Sequence, residues 1–408
     1  MRRVVITGMG AVTPIGNDVK SMWEGLINGR HSIAPITHFD TKGYPSRLAA
    51  EVKSYDPTLY MKRKDAQRYD PYTLFGVGAA AQAMEDSGIA DDTDPERIGV
   101  YFGSGIGGLT TLEKGERMLL ERGPAKVSPF SVPAMISNSA AALIAIKYGC
   151  LGPCMSVVTA CASSAHAIGE AYRAVVHGYA DAMIAGGADA AINPIGVASF
   201  IACRALTRAE DHNRASIPFD AERGGFVMGE GGGVLVLEEY EHAKKRGAMI
   251  YAELCGYGST CDAYHITRPK PDGSGAARAI RQAINEAGTG NERVYINAHG
   301  TGTKLNDETE TLAIKSALGT AAYDAVISST KGAMGHLLGG AGAVEAIVAV
   351  MALRTGIIPP TVGYKISDPA CDLDVCPNDA KEYKAELVLS NSIGFGGHNS
   401  CLAFREVR

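Results

Sequence analysis

Short apolar segments of strand length, each opening into glycine, recur along the chain and alternate with segments of helical period. Residues 4–8 read as a first strand, and 98–102 as another that ends in Gly103-Ser104-Gly105-Ile106-Gly107-Gly108. Residues 156–159 lead into a helix predicted over 161–177, followed by a strand at 182–185. Further strands are predicted at 233–237, 251–256, 294–297, 326–329, 387–391 and 401–405. Alternating strands and helices are the pattern of an α/β architecture. Glycine at the strand ends allows tight turns and close backbone approach. The pattern also echoes itself. Gly99-Val100-Tyr101-Phe102-Gly103 resembles Tyr295-Ile296-Asn297-Ala298-His299-Gly300 in being an apolar strand that opens into glycine. The unit of strand, Cys161 and helix resembles the unit of strand, Lys331 and the helix ending near Leu353. The chain is therefore read as two similar halves, 1–245 and 246–408, with the charged stretch 238–246 as a helical connector.

A chain of 408 residues is long enough for such a duplication. Its net charge of −5 argues against a nucleic-acid-binding protein, which would carry a basic excess. Nine cysteines at irregular spacing, with no Cys-x-x-Cys, point to reduced thiols in a cytoplasmic protein rather than a disulfide framework or zinc site. Met1-Arg2-Arg3 runs straight into the first strand, without the apolar stretch of a signal peptide. No apolar run is expected to approach the ~18 residues of a membrane span.

Three positions carry the chemistry. Cys161 falls where a strand gives way to a helix, so unpaired N–H groups and the helix dipole should favour a thiolate there and could bind an oxyanion. His299, in Asn297-Ala298-His299-Gly300-Thr301-Gly302-Thr303, follows a strand end. His336, in Lys331-Gly332-Ala333-Met334-Gly335-His336, lies between a strand and an apolar helix. Two neutral imidazoles can donate hydrogen bonds to one thioester oxygen and hold the enolate that forms on decarboxylation. His31, His38, His177, His212 and His242 read as ordinary polar groups. Lys331 would polarise the histidines or fix a carboxylate. Glu345 lies inside an apolar helix and needs a partner, such as Lys331, a backbone N–H or a cation.

Val158-Thr159-Ala160-Cys161, Asn297 to Thr301, Ser329-Thr330-Lys331 through Gly335-His336-Leu337-Leu338-Gly339, and Asn391-Ser392-Ile393-Gly394-Phe395-Gly396-Gly397-His398-Asn399 occur in that order. Together they resemble the β-ketoacyl-acyl-carrier-protein synthases, most of all the type II elongating enzyme, over nearly the whole chain. The resemblance implies a thiolase fold, two duplicated α/β halves in five αβαβα layers, and a homodimer. It implies that Cys161 takes the acyl chain from acyl carrier protein, and that His299 and His336 drive decarboxylation of malonyl-acyl-carrier-protein. Phe395 matches the gatekeeper and, with Cys161, the oxyanion hole. Thr301, Thr303, Ile106, Phe200, Gly394 and Gly396 match substrate-binding positions. Lys64, Arg68, Lys126 and Arg204 match the carrier-protein docking surface, with Lys64 and Arg68 expected on one helical face. No cofactor is required, but Asn297, Ala298, Glu345, Ser390 and Asn391 match a site for Na+ or K+.

Ser163, Ser164, Gly302, Met334, Ile393 and His398 depart from the family's usual residues, which bears on substrate range. A type II polyketide or aryl-polyene ketosynthase would share the chemistry. A non-catalytic chain-length-factor partner would lack Cys161. A biosynthetic thiolase would place a second cysteine where Phe395 stands, and an initiating synthase would pair its cysteine with His and Asn.

Overall fold

The computed structural model describes residues 2–288 and 292–407. The principal strands are β1 (Val4–Val12), β2 (Ile98–Gly103), β3 (Cys154–Val157), β4 (Ala182–Asp189), β5 (Gly231–Glu239), β6 (Ala252–Cys261), β7 (Val294–Asn297), β8 (Val326–Ser328), β9 (Leu387–Gly394) and β10 (His398–Arg405). The helices that matter here are α1 (Pro71–Ser87), α2 (Leu109–Arg122), α3 (Ser139–Tyr148), α4 (Ser163–Val176), α5 (Pro194–Ala202), α6 (Ser274–Ala287), α7 (Lys304–Leu318) and α8 (Ala341–Thr355).

Hydrogen bonding links the strands in the order β8-β7-β9-β10-β6-β1-β5-β4-β2-β3. Each half repeats one topology. Its second strand pairs in parallel with its third and fourth, and its fifth runs antiparallel to both the fourth and the first. The echo seen in the sequence falls on equivalent strands, β2 and β7. The Cys161 and Lys331 units likewise both follow a third strand. The halves meet at a short antiparallel seam, Val4 to Ile6 against Leu254 to Ala252.

Across that seam the two strand sets enclose α4 and α8. Helix α4 packs on β4 and β2 from one side and on β10 and β6 from the other, while α8 lies between β5 and β9. Helices α1 and α3 cover the outer face of the first half, and α6, backed by α7, covers that of the second. This is the five-layered thiolase arrangement.

A helix between two sheets must be apolar on all sides. Ala343, Val344, Ala346, Ile347, Val348, Ala349 and Val350 of α8 are accordingly all buried. The run Leu338–Thr355 is in fact 18 residues and apolar enough to cross a membrane by length and composition, contrary to the expectation above. It is 83% buried in the protein, so it is the central core helix. Two boundaries also shift. Strand β5 continues through Glu239, which leaves only Tyr240–Lys245 as the connecting helix. Strand β3 starts earlier than predicted, and α4 begins at Ser163, after Cys161.

Candidate active site

Cys161 sits in a single 3-10 turn, Ala160–Ala162, between β3 and α4. Ala160 holds φ at 52°, a left-handed conformation that costs a non-glycine residue about 1–2 kcal/mol. The turn is held by Ser163, whose hydroxyl accepts from the Thr159 N–H at 2.9 Å and donates to the Ala160 carbonyl at 2.7 Å. Ser164 accepts from the Ala343 N–H at 2.9 Å and ties α4 to α8. Both serines are therefore structural, although they depart from the family pattern. The thiol itself overturns one expectation. Burial pushes it up to about 11, against the lowering effect of Lys331 and of the Phe395 and Cys161 N–H groups. At neutral pH it rests protonated. The two N–H groups that oppose burial could also donate to an oxyanion formed beside the sulfur.

His299 follows β7. Its own N–H and that of Gly300 donate to the two oxygens of Glu310, each at 2.8 Å, so a buried carboxylate on α7 clamps the turn. Gly300 has φ 36°, and a side chain there would strike Ser329. His336 is hung on the strand Met228–Gly229 and its neighbour. Its N–H donates to the Val227 carbonyl and its carbonyl accepts from Gly229, both at 2.8 Å. The two imidazoles meet edge to face with centroids 5.3 Å apart, and Phe226 packs on His336 at 5.1 Å. Burial, then Lys331, and for His299 also His336, hold both well below the ordinary histidine value. Both are neutral at pH 7. Among the described residues, His299 Nδ1 and both ring nitrogens of His336 have no hydrogen-bond partner. Buried donors without partners are costly unless a ligand uses them.

Lys331 is 1% exposed and its ammonium pairs with Glu345 Oε1. Removing either partner of such a pair costs roughly 3–5 kcal/mol, because the other charge is left buried. Among the described residues, Glu345 Oε2 has no partner, and neither do Asn297 Oδ1, Ser390 Oγ or Asn391 Oδ1.

Cys161, His299, His336 and Phe395 open into one cavity of about 720 Å³. Thr301, Thr303, Phe200 and Gly394 line it, as does Arg204, which was expected on the docking surface, and the two threonine hydroxyls are 3.0 Å apart. Ile106 and Gly396 do not line it. Ile106 is 38% exposed on the surface, and Gly396 faces away, donating its N–H to the Ile266 carbonyl at 2.7 Å. Gly396 and Gly397 hold φ at 87° and 76°, which lets the hairpin after β9 carry Phe395 across the cavity. Of the residues expected on the docking surface, Lys64, Lys126 and Arg204 are exposed. Arg68 is not on a helical face with Lys64, because that helix is only Arg63–Ala66. Arg68 instead pairs with Asp65 at 3.3 Å and lies over the Phe130 ring at 4.5 Å. The sequence reading missed Glu310, Phe226, Arg268 and Lys304. The last two add positive charge to the cavity. Glu310, Arg268 and Lys304 sit in no motif, so only the spatial arrangement marks those three. Of the other departures, Ile393 lines the cavity, while Met334 is buried and His398 stands edge-on to His166 at 6.3 Å.

Residues 1–243 match the family model described as "Beta-ketoacyl synthase, N-terminal domain", and residues 251–365 match "Beta-ketoacyl synthase, C-terminal domain". The five-layered fold and the cysteine–histidine cavity are those of a condensing enzyme, and with these matches the chain belongs to the β-ketoacyl synthase family. It is an enzyme of the acyltransferase class. A relative from Synechocystis named 3-oxoacyl-acyl-carrier-protein synthase 2 is 51% identical over 408 residues, covering 99% of this chain and 98% of its own. A relative of the same name from Coxiella burnetii is 47% identical, covering 100% and 99%. Among solved structures, a β-ketoacyl synthase from Burkholderia phymatum is 35% identical with a TM-score of 0.92, covering 100% of both chains. A type II polyketide acyl carrier protein bound to its ketosynthase gives the same identity, TM-score and coverage.

Proposed function

We propose that this chain catalyses the decarboxylative condensation of malonyl-acyl-carrier-protein with an acyl group held on Cys161, giving β-ketoacyl-acyl-carrier-protein in fatty acid elongation. The carrying observation is the convergence of one cysteine and two neutral, unpartnered imidazoles in one cavity. The acyl group passes from the carrier thiol to Cys161 Sγ, and the carrier leaves as a free thiol. Malonyl thioester then enters, with its carbonyl oxygen on the imidazole N–H groups. Carbon dioxide departs, and the bond electrons form an enolate stabilised by those donors. The enolate carbon attacks the acyl carbon, whose oxyanion sits on the Cys161 and Phe395 N–H groups, and the cysteine sulfur is expelled. The half spanning 1–245 supplies the nucleophile, and 246–408 supplies His299, His336, Lys331 and Phe395. Thr301 and Thr303 meet the pantetheine arm. The test is condensation with a series of acyl-carrier proteins, read by mass spectrometry, with products longer by two carbons expected. The polyketide reading has support in the solved ketosynthase bound to a type II polyketide acyl carrier protein. Repeated extension without intervening reduction in the same assay would favour it.

The carrier docks, on this reading, at Lys64, Arg68, Lys126 and Arg204. An acidic partner meeting a chain of net charge −5 must be steered locally. Lys126→Glu is expected to slow association at low salt by about tenfold, and the difference from wild type should shrink as salt rises. Turnover of a small pantetheine thioester should stay the same. Unchanged carrier kinetics at low salt would remove the patch.

The unpartnered oxygens of Asn297, Glu345, Ser390 and Asn391, with the Ala298 carbonyl, fit a monovalent cation of oxygen preference. Bound there, Na+ or K+ would offset the Glu345 charge that Lys331 only half satisfies. Crystals soaked in a thallium(I) salt should show an anomalous peak among these atoms. No peak would leave the Lys331 ion pair as the whole account.

A homodimer would cover the exposed edge strand β3, with Met155, Val158, Ile146 and Leu151 exposed beside it. Sedimentation at twice the chain mass is the expected result, and a monomer would refute it. A cytoplasmic location completes the reading.

A further inference from the structure

A second cavity, of about 850 Å³, opens between α2 and the segment 38–55. None of Cys161, His299 or His336 lines it. Phe39, Tyr55 and Phe75 supply apolar walls, and Met118 of α2 lies along its rim. One charged side chain in its lining is deeply buried, Glu230 at 2% exposure. Glu230 Oε1 accepts from the Val52 N–H at 3.0 Å and stands 3.6 Å from His38 Nε2. No hydrogen bond to its Oε2 is seen among the described residues, and that oxygen is not fully enclosed. The nearby Glu51 is different. It is 3% exposed, but it accepts from the Thr37 N–H, the Thr37 hydroxyl and the His38 N–H at 2.7, 2.6 and 3.1 Å. His38 is itself half spent, with Nδ1 3.3 Å from the Ile192 carbonyl. Burial, with help from the Glu51 and Asp70 charges, pushes the Glu230 carboxyl up to about 7 against the opposing effect of His38 and the Val52 N–H. The carboxylate thus faces a space large enough for a small molecule, with aromatic walls and with Glu113, Lys114, Arg117 and Glu121 of α2 also in its lining, and it can accept a charged donor from outside.

The position of Glu230 matters. It follows the strand Met228–Gly229, which pairs in parallel with Leu48–Ala50. The Gly229 N–H and Val227 carbonyl are the groups that hold the backbone of His336. The cavity floor is thus continuous in the chain with the support of that imidazole.

We propose that this cavity is a second ligand site, which takes a small organic monocation of the arylalkylammonium type. The ammonium head rests on Glu230 and the body on Phe39, Tyr55 and Phe75, and occupancy is transmitted to His336. The transmission rests on the role given to His336 above, whereas the binding does not.

The test is calorimetric titration of the full-length enzyme with 2-phenylethylammonium chloride and, separately, with uncharged 2-phenylethanol. The ammonium should bind at least about tenfold more tightly, because it alone supplies a charge-assisted donor. Glu230→Gln should bring the two affinities together. Met118→Trp, which fills the cavity from its rim and leaves Glu230 in place, should weaken both, and it carries the test if the first variant fails to fold. Equal affinities in wild type, a preserved preference in Glu230→Gln, or undiminished binding in Met118→Trp would each overturn the site. Saturating 2-phenylethylammonium should also change the malonyl decarboxylation rate of wild type by about twofold or more, and not that of Glu230→Gln. Binding with no change in that rate would overturn the transmission alone. Absence of decarboxylation from the unliganded enzyme would instead count against the functional reading.

Discussion

Replacing Cys161 with alanine is expected to reduce condensation by on the order of 10⁴-fold or more, because no acyl-enzyme can form. Decarboxylation of malonyl-acyl-carrier-protein should remain measurable in the same variant. The physical reason lies in the separation of the two functions. Cys161 is presented by the turn after β3, whereas His299 and His336 are held by Glu310 and by the Val227 and Gly229 backbone groups. None of those supports involves the thiol. The substitution removes only the sulfur atom, which lines the cavity. The measurement is a pair of assays on one preparation, with carbon dioxide release beside product formation. Normal elongation by Cys161→Ala would eliminate the cysteine as nucleophile.

His299→Ala and His336→Ala should each lower decarboxylation by about 10²–10³-fold, the usual effect of losing one preorganised donor to a developing oxyanion. Transfer of the acyl group to Cys161 should suffer less, because its oxyanion is held by backbone N–H groups instead. The pH dependence provides a second check. Both imidazoles are held well below the ordinary 6.5 by burial and by Lys331, so they stay neutral as the solution passes through that value. Wild-type decarboxylation should therefore run flat from pH 8 down through 6.5, with any histidine limb displaced to lower pH. A rate that halves near 6.5, or equal loss of acyl transfer and decarboxylation in both variants, would mean that the histidines serve another purpose.

His398 shows what residue identity alone leaves open. In the sequence it is a departure in a glycine-rich motif, with a possible bearing on substrate. In the structure it stands beside His166, whose imidazole burial pushes down to about 4. Ser163 and Ser164 appeared to bear on the pocket as well, yet their hydroxyls are spent on the Cys161 turn and on α8. In each case the side chain's partner comes from a segment or a turn geometry that a linear motif does not display.

The chain's own order of residues determined the alternation of strand and helix, the duplicated halves and the three candidate side chains Cys161, His299 and His336. These are local matters. Strand-length apolar runs, glycine at their ends and a cysteine at a strand-to-helix junction are all written within a few neighbouring positions. Tertiary structure alone decided the rest. It showed Leu338–Thr355 to be a core helix and not a free apolar span, because two sheets close over it. It reversed the expected state of Cys161, because the cost of burying a thiolate exceeds the help from nearby N–H groups and Lys331. It also brought in Phe226, and with it Glu310, Arg268 and Lys304, which no motif announces. Burial and electrostatic field are sums over residues distant in sequence, so they exist only once the two halves have folded against each other.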